Sequence, residues 1–129
     1  MKPRFTGVSF FVYPVTDMMR ACAFYGGVLG LTETLRRGDR YVEFDIGTAT
    51  IALSAALEGC VPGTSGAAAL ETEEFEAVVS HLQRNGVKFL FGPLDTGDCH
   101  FARFLDSEGN HICIHRRHPR STVPVEAVG

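Results

Sequence analysis

Two runs of apolar residues, Ala102–Leu105 and His111–His115, are separated by the short polar sequence Asp-Ser-Glu-Gly-Asn at positions 106–110. Gly109 can adopt a positive φ without a Cβ clash, so this stretch predicts two β-strands joined by a tight turn. Asp106 precedes Cys113 by seven residues, as Asp45 precedes Ala52 earlier in the chain. The hairpin is therefore expected to belong to the second of two similar repeats.

The order of elements predicted along the chain supports two repeats of the pattern βαβββ, an α+β fold class. In the first repeat, a strand at 8–15 precedes a helix capped by Thr16 or Asp17 and ended by Gly30, and strands follow at 32–36, 41–46 and 48–56. In the second, a strand at 67–71 precedes a helix capped by Thr72 and ended by Gly86, and strands follow at 87–91, 99–105 and 111–116. Neither repeat buries a sheet alone, so the two are expected to pack as one domain over residues 1–129.

Within that domain the predicted boundaries follow changes in composition. Module one spans about 7–57, and module two about 67–117. The sequence between them, 58–66, is rich in Gly, Pro and Ser and is predicted to be a linker. Residues 118–129 are predicted to be a C-terminal tail, and the basic residues at and just before its start, Arg116, Arg117, His118 and Arg120, are expected to be solvated.

Composition excludes several classes of partner. The net charge is -3 and no basic stripe is present, which argues against nucleic acid. No run approaches the ~20 apolar residues of a membrane span, and the N-terminal sequence lacks the apolar region of a signal peptide, so a cytoplasmic protein without a membrane partner is expected. The four cysteines lack Cys-x-x-Cys spacing and are expected to be reduced thiols.

A strand followed by Asp17, a helix ending in FYGGVLGL at 24–31 and the later DSEGN hairpin together resemble the vicinal-oxygen-chelate superfamily. That superfamily includes glyoxalase I, bleomycin- and fosfomycin-resistance proteins and extradiol dioxygenases. The resemblance implies a curved, mixed eight-stranded sheet with helices on its convex face and a ligand cleft on its concave face. It also implies a homodimer, since many members form one.

The resemblance also identifies four positions at which metal-dependent members hold a divalent ion. They fall on Phe10, Ala52, Ala67 and Cys113. The first three side chains have no donor atom, and one thiol does not hold a metal. His111 and His115 share a strand face with Cys113, but residues two apart on a strand lie roughly 6 to 7 Å from each other. No metal and no cofactor are therefore predicted.

The cleft is expected to be lined mostly by apolar or small side chains. The predicted ligand-binding residues are Phe10, Val42, Phe44, Ser54, Phe101, Arg103, Cys113 and His115. Strand alternation puts Arg103 on the same face as Phe101 and Leu105, with Ala102 and Phe104 on the other face. Its partner is either a ligand carboxylate or phosphate, or an internal carboxylate such as Glu43 or Glu71, or a dimer mate.

The remaining thiol and imidazole groups are interpreted either as structural or as reactive groups. Cys113 is either a buried apolar residue or a thiolate activated by Arg103 or His115, whereas Cys99 and His100 are expected to be surface residues. The favoured function is a metal-free module that binds a small, possibly anionic, organic molecule. The alternatives are a metal-independent isomerase or lyase that would use Arg103, His115 or Cys113 for acid/base or thiol chemistry, with no catalytic residue definitely assigned, and an interaction protein without a small ligand.

Overall fold

The computed structural model describes residues 3–6 and 8–119, which form eight strands and two helical segments. In module one these are β1 (Phe11–Pro14), α1 (Met18–Cys22), a π-helical continuation (Ala23–Val28), β2 (Thr32–Arg37), β3 (Tyr41–Asp45) and β4 (Thr50–Ser54). In module two they are β5 (Ala68–Glu71), α2 (Phe75–Arg84), β6 (Phe89–Asp95), β7 (Cys99–Leu105) and β8 (His111–Arg117). The predicted tail from residue 120 onward, including Arg120, lies outside the described residues.

The strands confirm the predicted α+β fold of two βαβββ modules. Each module forms its own four-stranded mixed sheet, with the orders β1-β4-β3-β2 and β5-β8-β7-β6. In each sheet the first strand pairs in parallel with the fourth, and the other pairs are antiparallel. The repeat detected in the sequence is therefore a repeat of topology.

One hydrophobic core joins the helices to one face of both sheets. Tyr13 and Phe44 from module one and Phe104 and Ile112 from module two belong to it, together with Phe24 from the π-helical segment. The Phe24 and Phe104 rings lie 6.5 Å apart, so the first helix packs against strands of both modules. The opposite face of each sheet, which we call the open face, carries no helix in the described part of the chain.

Two residues predicted to line the cleft belong to this core instead. Val42 is fully buried and Phe44 is 1% exposed, and a Cβ added at Gly26 of the π-helical segment would lie 3.4 Å from the Phe44 ring. The assignment of Val42 and Phe44 to the cleft was wrong. Apolar side chains bury against the helices, while their strand neighbours Tyr41 and Glu43 occupy the other face.

The helix ends follow the predicted signals at three of four positions. Asp17 caps α1 by accepting a hydrogen bond from the Arg20 N–H, and Gly30 and Gly86 have φ values of 72° and 79° after the helices. The predicted cap at Thr72 was wrong. Its hydroxyl accepts the Glu74 N–H in a local turn, and α2 begins only at Phe75.

The strand β6 continues beyond residue 91, where the predicted strand at 87–91 ends. Gly92 has a φ of 73°, and a Cβ there would lie 2.5 Å from the Phe101 carbonyl oxygen. The strand is irregular at this point, with register shifts on both sides of Phe91. Glycine at position 92 lets β6 pass close to β7, which extends pairing as far as Asp95 opposite His100.

The turn between β7 and β8 joins the two modules through buried polar groups. The Asp106 carboxylate accepts hydrogen bonds from its own turn and from the Tyr25 hydroxyl of module one, the latter at 2.8 Å. Asn110, which is fully buried, donates to the Pro14 carbonyl at 2.8 Å and accepts from the Gly63 N–H at 2.9 Å. A single turn thus satisfies polar groups of β1, the first helix and the linker.

Glu108 adds a second link from the same turn. Its carboxylate accepts hydrogen bonds from the backbone N–H groups of Thr16 and Asp17, and forms an ion pair with Arg20 at 2.6 Å. Burial raises the pKa of Glu108, but the hydrogen bonds from Arg20, Asp17 and Thr16 outweigh it and lower the pKa to about 2. Glu108 is therefore ionised at neutral pH and anchors the start of α1.

We predict that Asn110→Ala destabilises the protein by about 2–4 kcal/mol, because it leaves the buried Pro14 carbonyl and Gly63 N–H without partners. Urea unfolding followed by circular dichroism measures the change. Asn85→Ala is the matched control, since Asn85 is exposed after α2 and its side chain donates to the His81 carbonyl. Equal stability losses in the two variants would contradict the role given to the β7–β8 turn.

Candidate functional site

Strand β7 divides its side chains between the core and the open face. Ala102 and Phe104 are fully buried in the core, while Phe101 and Arg103 are half-buried on the other side and Leu105 is 37% exposed. This confirms the predicted alternation along the strand. In the ladder, Arg103 lies between Phe91 of β6 and Cys113 of β8.

The Arg103 guanidinium has no ion pair among the described residues. Its Nε atom is buried there without a hydrogen-bond partner, and its guanidinium carbon lies 5.8 Å from the centre of the Phe91 ring. The two carboxylates considered as internal partners are engaged elsewhere. Glu43 accepts the Tyr41 hydroxyl at 2.6 Å, and Glu71 holds His115. Within residues 3–6 and 8–119, Arg103 is thus a cation in contact with an aromatic ring and lacking a counter-ion.

The neighbours of Arg103 on β8 are Cys113 and His115. Cys113 is 5% exposed, and burial raises the pKa of its thiol although the Arg103 charge acts to lower it. The Nδ1 atom of His115 lies 2.5 Å from the Glu71 carboxylate, which also accepts the Arg117 N–H at 3.0 Å. These hydrogen bonds lower the pKa of Glu71. Cys113 is therefore a weak candidate for a thiolate, whereas His115 is held in a fixed orientation.

The other predicted site residues are spread along the open face. Phe10 is 45% exposed just before β1, and the Ser54 hydroxyl accepts the Ala56 N–H at 3.2 Å. Of the remaining family metal positions, Ala52 is fully buried and is paired with Val12 and Glu43, and Ala67 is exposed. The structure keeps Phe101, Arg103, Cys113 and His115 together, because they lie on adjacent positions of β7 and β8.

Two cavities flank the Glu71–His115 pair, and neither was predicted from the sequence. One, of about 450 Å³, is lined by Gly97, Asp98, Cys99, His115, Arg117, His118 and Pro119. The other, of about 480 Å³, is largely apolar and is lined by residues that include Leu31, Ile46, Glu71 and Ile114.

Phe91 and Glu71 were not predicted from the sequence as residues that line the site. The pairing of β5 with β8 would have indicated Glu71, since it places Glu71 opposite His115.

The sequence matches the Glyoxalase/Bleomycin resistance protein/Dioxygenase superfamily over residues 7–114. The chain belongs to this superfamily, which confirms the resemblance found in the sequence. No curated protein matches it. No helix within the described ranges is long and apolar enough to cross a membrane.

Solved structures with the same fold include proteins of several functions. TnmS3, an antibiotic binding protein from Streptomyces sp. CB03234, is 24% identical, with a TM-score of 0.80 over 91% of this chain and 100% of that one. A glyoxalase/bleomycin resistance protein from the same strain is 25% identical, with a TM-score of 0.73 over 84% and 98%. Lactoylglutathione lyase from Agrobacterium tumefaciens is 16% identical, with a TM-score of 0.73 over 88% and 95%. The fold alone does not choose among these functions.

Proposed function

We propose that this protein is a binding module for a small organic anion, held on the open face of module two by Arg103. The observation that carries the proposal is the buried Nε of Arg103, which lacks a partner in the described residues while Glu43 and Glu71 bond to other groups. A buried donor without an acceptor costs about 1–3 kcal/mol, more when it is charged. A ligand carboxylate or phosphate would remove that cost with two parallel hydrogen bonds.

The surroundings of Arg103 suit an anion with an apolar or aromatic body. The Phe91 and Phe101 rings lie 5.9 Å apart beside it, and Phe91 is 46% exposed. His115, opposite Phe101 on β8, supplies a second polar group within the same patch. A flat apolar ligand with one acidic group would contact the rings through its body and Arg103 through its charge.

The alternative of a metal-independent isomerase or lyase has weaker support from the geometry. Thiol chemistry requires a thiolate, and burial raises the pKa of Cys113. Binding of a small molecule, by contrast, needs only the aromatic and cationic side chains already present around Arg103. TnmS3, an antibiotic binding protein, shows that a protein of this fold can serve as a binding protein.

The same proposal includes a cleft that holds no metal and a homodimer that covers the open face. Phe10, Ala52 and Ala67 stand at three of the four family metal positions. Apolar side chains are exposed on and beside this face: Phe10 at 45%, Phe91 at 46% and Leu105 at 37%. A second copy covering them would remove apolar surface from water.

We predict that the protein sediments as a dimer at micromolar concentration, with twice the chain mass of 14.0 kDa. Leu105→Glu is expected to weaken the dimer by placing a charge on the covered apolar surface. Val61→Glu is the control, because Val61 is exposed in the linker between the modules. A wild-type monomer in analytical ultracentrifugation would contradict this part of the proposal.

We predict that Arg103→Ala weakens anion binding by about 10- to 100-fold, which corresponds to the loss of a charge-assisted contact of about 1.5–3 kcal/mol. Arg103→Lys should be intermediate, since an ammonium replaces two directed hydrogen bonds with one point charge. A thermal-shift screen of aromatic carboxylates and phosphates, followed by calorimetry of the best compound, measures the effect.

The control for this experiment is Arg37→Ala, which removes an exposed arginine of β2 in module one and should leave affinity unchanged. If no acid stabilises the wild type, or if Arg103→Ala binds the acid equally well, the anion site is wrong. A lower melting temperature with unchanged ligand affinity would identify Arg103 as a structural residue.

We predict that the cleft holds no divalent metal. An ion bound there would depend on Cys113, which is the one donor at the four family positions. Because no ion is expected in the cleft, Cys113→Ser should leave the metal content and metal affinity of the protein unchanged. Elemental analysis after loading with Zn²⁺, Ni²⁺, Mn²⁺ or Fe²⁺ tests this. A stoichiometric metal that Cys113→Ser removes would contradict the prediction.

A further inference from the structure

Three metal-ligating side chains converge at one end of the second sheet, away from Arg103. Asp95 lies at the end of β6, His100 near the start of β7, and His118 directly after β8. One donor atom from each lies within 4.8 Å of the other two. The His118 Nε2 is 2.9 Å from Asp95 Oδ1, and the His100 Nε2 is 3.7 Å from Asp95 Oδ2. The three donor atoms are thus close enough together for one ion to contact all of them.

This cluster is separate from the open face. Along β7, His100 alternates with Phe101 and Arg103, and its ring packs 5.5 Å from the Phe75 ring at the start of α2. His100 therefore lies on the helix side of the sheet, while Arg103 and Cys113 lie on the other. None of Asp95, His100 and His118 occupies one of the four family metal positions.

The geometry points to a binding site for a divalent transition-metal ion, such as Zn²⁺, held by Asp95, His100 and His118. Two imidazoles and one carboxylate are a ligand set that suits zinc, and three protein ligands leave a fourth position open. Ligands bound at about 2.0–2.2 Å to one tetrahedral ion lie roughly 3.3 Å apart. The 3.7 Å separation between His100 and Asp95 is too long for a hydrogen bond but close to that spacing.

The surroundings explain how such an ion would be reached. The His118 side chain is 33% exposed, so solvent reaches the cluster. The Asp95 side chain is 52% exposed. Exposed ligands favour an ion that exchanges with solvent, so a chelator should remove it without unfolding the protein.

Arg116 competes with the metal for His100. Its Nη2 lies 3.1 Å from His100 Nδ1, and its guanidinium is held by the Glu76 carboxylate at 2.7 Å. An arginine donates to Nδ1, which leaves the ring proton on Nε2, the atom that faces Asp95. Metal binding through Nε2 requires the proton to move to Nδ1 and Arg116 to withdraw. Arg116→Met, which removes the competing donor and a nearby positive charge, should therefore tighten metal binding.

Zinc titration of the chelator-treated full chain by calorimetry tests the inference. The wild type is expected to bind one Zn²⁺ per chain, and Asp95→Asn, His100→Gln and His118→Gln should each weaken binding at least tenfold. His81→Gln and Cys113→Ser are matched controls, since His81 is exposed on α2 and Cys113 lies in the cleft, and both should bind as the wild type does. Visible absorption of bound Co²⁺ gives a second readout, because its intensity reports the number of ligands.

Several results would overturn the site. One is the absence of zinc binding to the wild type. Another is a zinc affinity in Asp95→Asn and His118→Gln that equals the wild-type affinity. A third is weaker zinc binding in Arg116→Met than in the wild type. Loss of zinc in Cys113→Ser alone would place the ion in the cleft, which would contradict both this inference and the metal-free cleft. Loss of anion binding in Arg103→Ala does not depend on the zinc result, so the two proposals fail separately.

Discussion

The packing of the two modules against each other depends on the buried turn between β7 and β8. Asp106 and Asn110 of that turn satisfy the Tyr25 hydroxyl, the Pro14 carbonyl and the Gly63 N–H, all of which belong to module one or the linker. Tyr13 of β1 makes the reciprocal link, since its hydroxyl donates to the His111 carbonyl and accepts from the Ala68 N–H. Because buried polar groups without partners are costly, these bonds select one arrangement of the modules over others that would bury similar apolar area.

That arrangement determines which side chains remain for function. Both helices cover the core face, so alternation along β7 and β8 leaves Phe101, Arg103, Cys113 and His115 on the open face. The Glu71 carboxylate is hydrogen-bonded to His115 and to the Arg117 N–H, and these bonds prevent it from neutralising Arg103. An aromatic patch with a cation that lacks a counter-ion in the described residues is therefore a consequence of the fold, and it is the feature on which the proposed anion binding rests.

The sequence predicted the element order and the β7 alternation, because Gly, Asp and apolar periodicity are local signals. It assigned Val42 and Phe44 to the wrong face. Alternation shows which residues share a face, but only the position of the helices shows which face is buried.

The prediction from sequence also ended β6 too early, since Gly92-Pro93 is typical of a turn, and it therefore missed the pairing of Asp95 with His100. The Asp95, His100 and His118 cluster combines three strand ends, and no local pattern brings those residues together. Cys113 and Arg103 were predicted as neighbours, but the lack of a carboxylate beside Arg103 depends on long-range pairing of Glu71 that a single sequence does not reveal.

A crystal structure of the protein grown with the acid that stabilises it most would test the central claim most directly, because it shows what meets the Arg103 guanidinium. The account predicts ligand density on the open face, with the acidic group within hydrogen-bond distance of Arg103 and the ligand body against Phe91 and Phe101. A carboxylate of the protein or of a second copy of the chain bound to Arg103, with the acid elsewhere or absent, would contradict it.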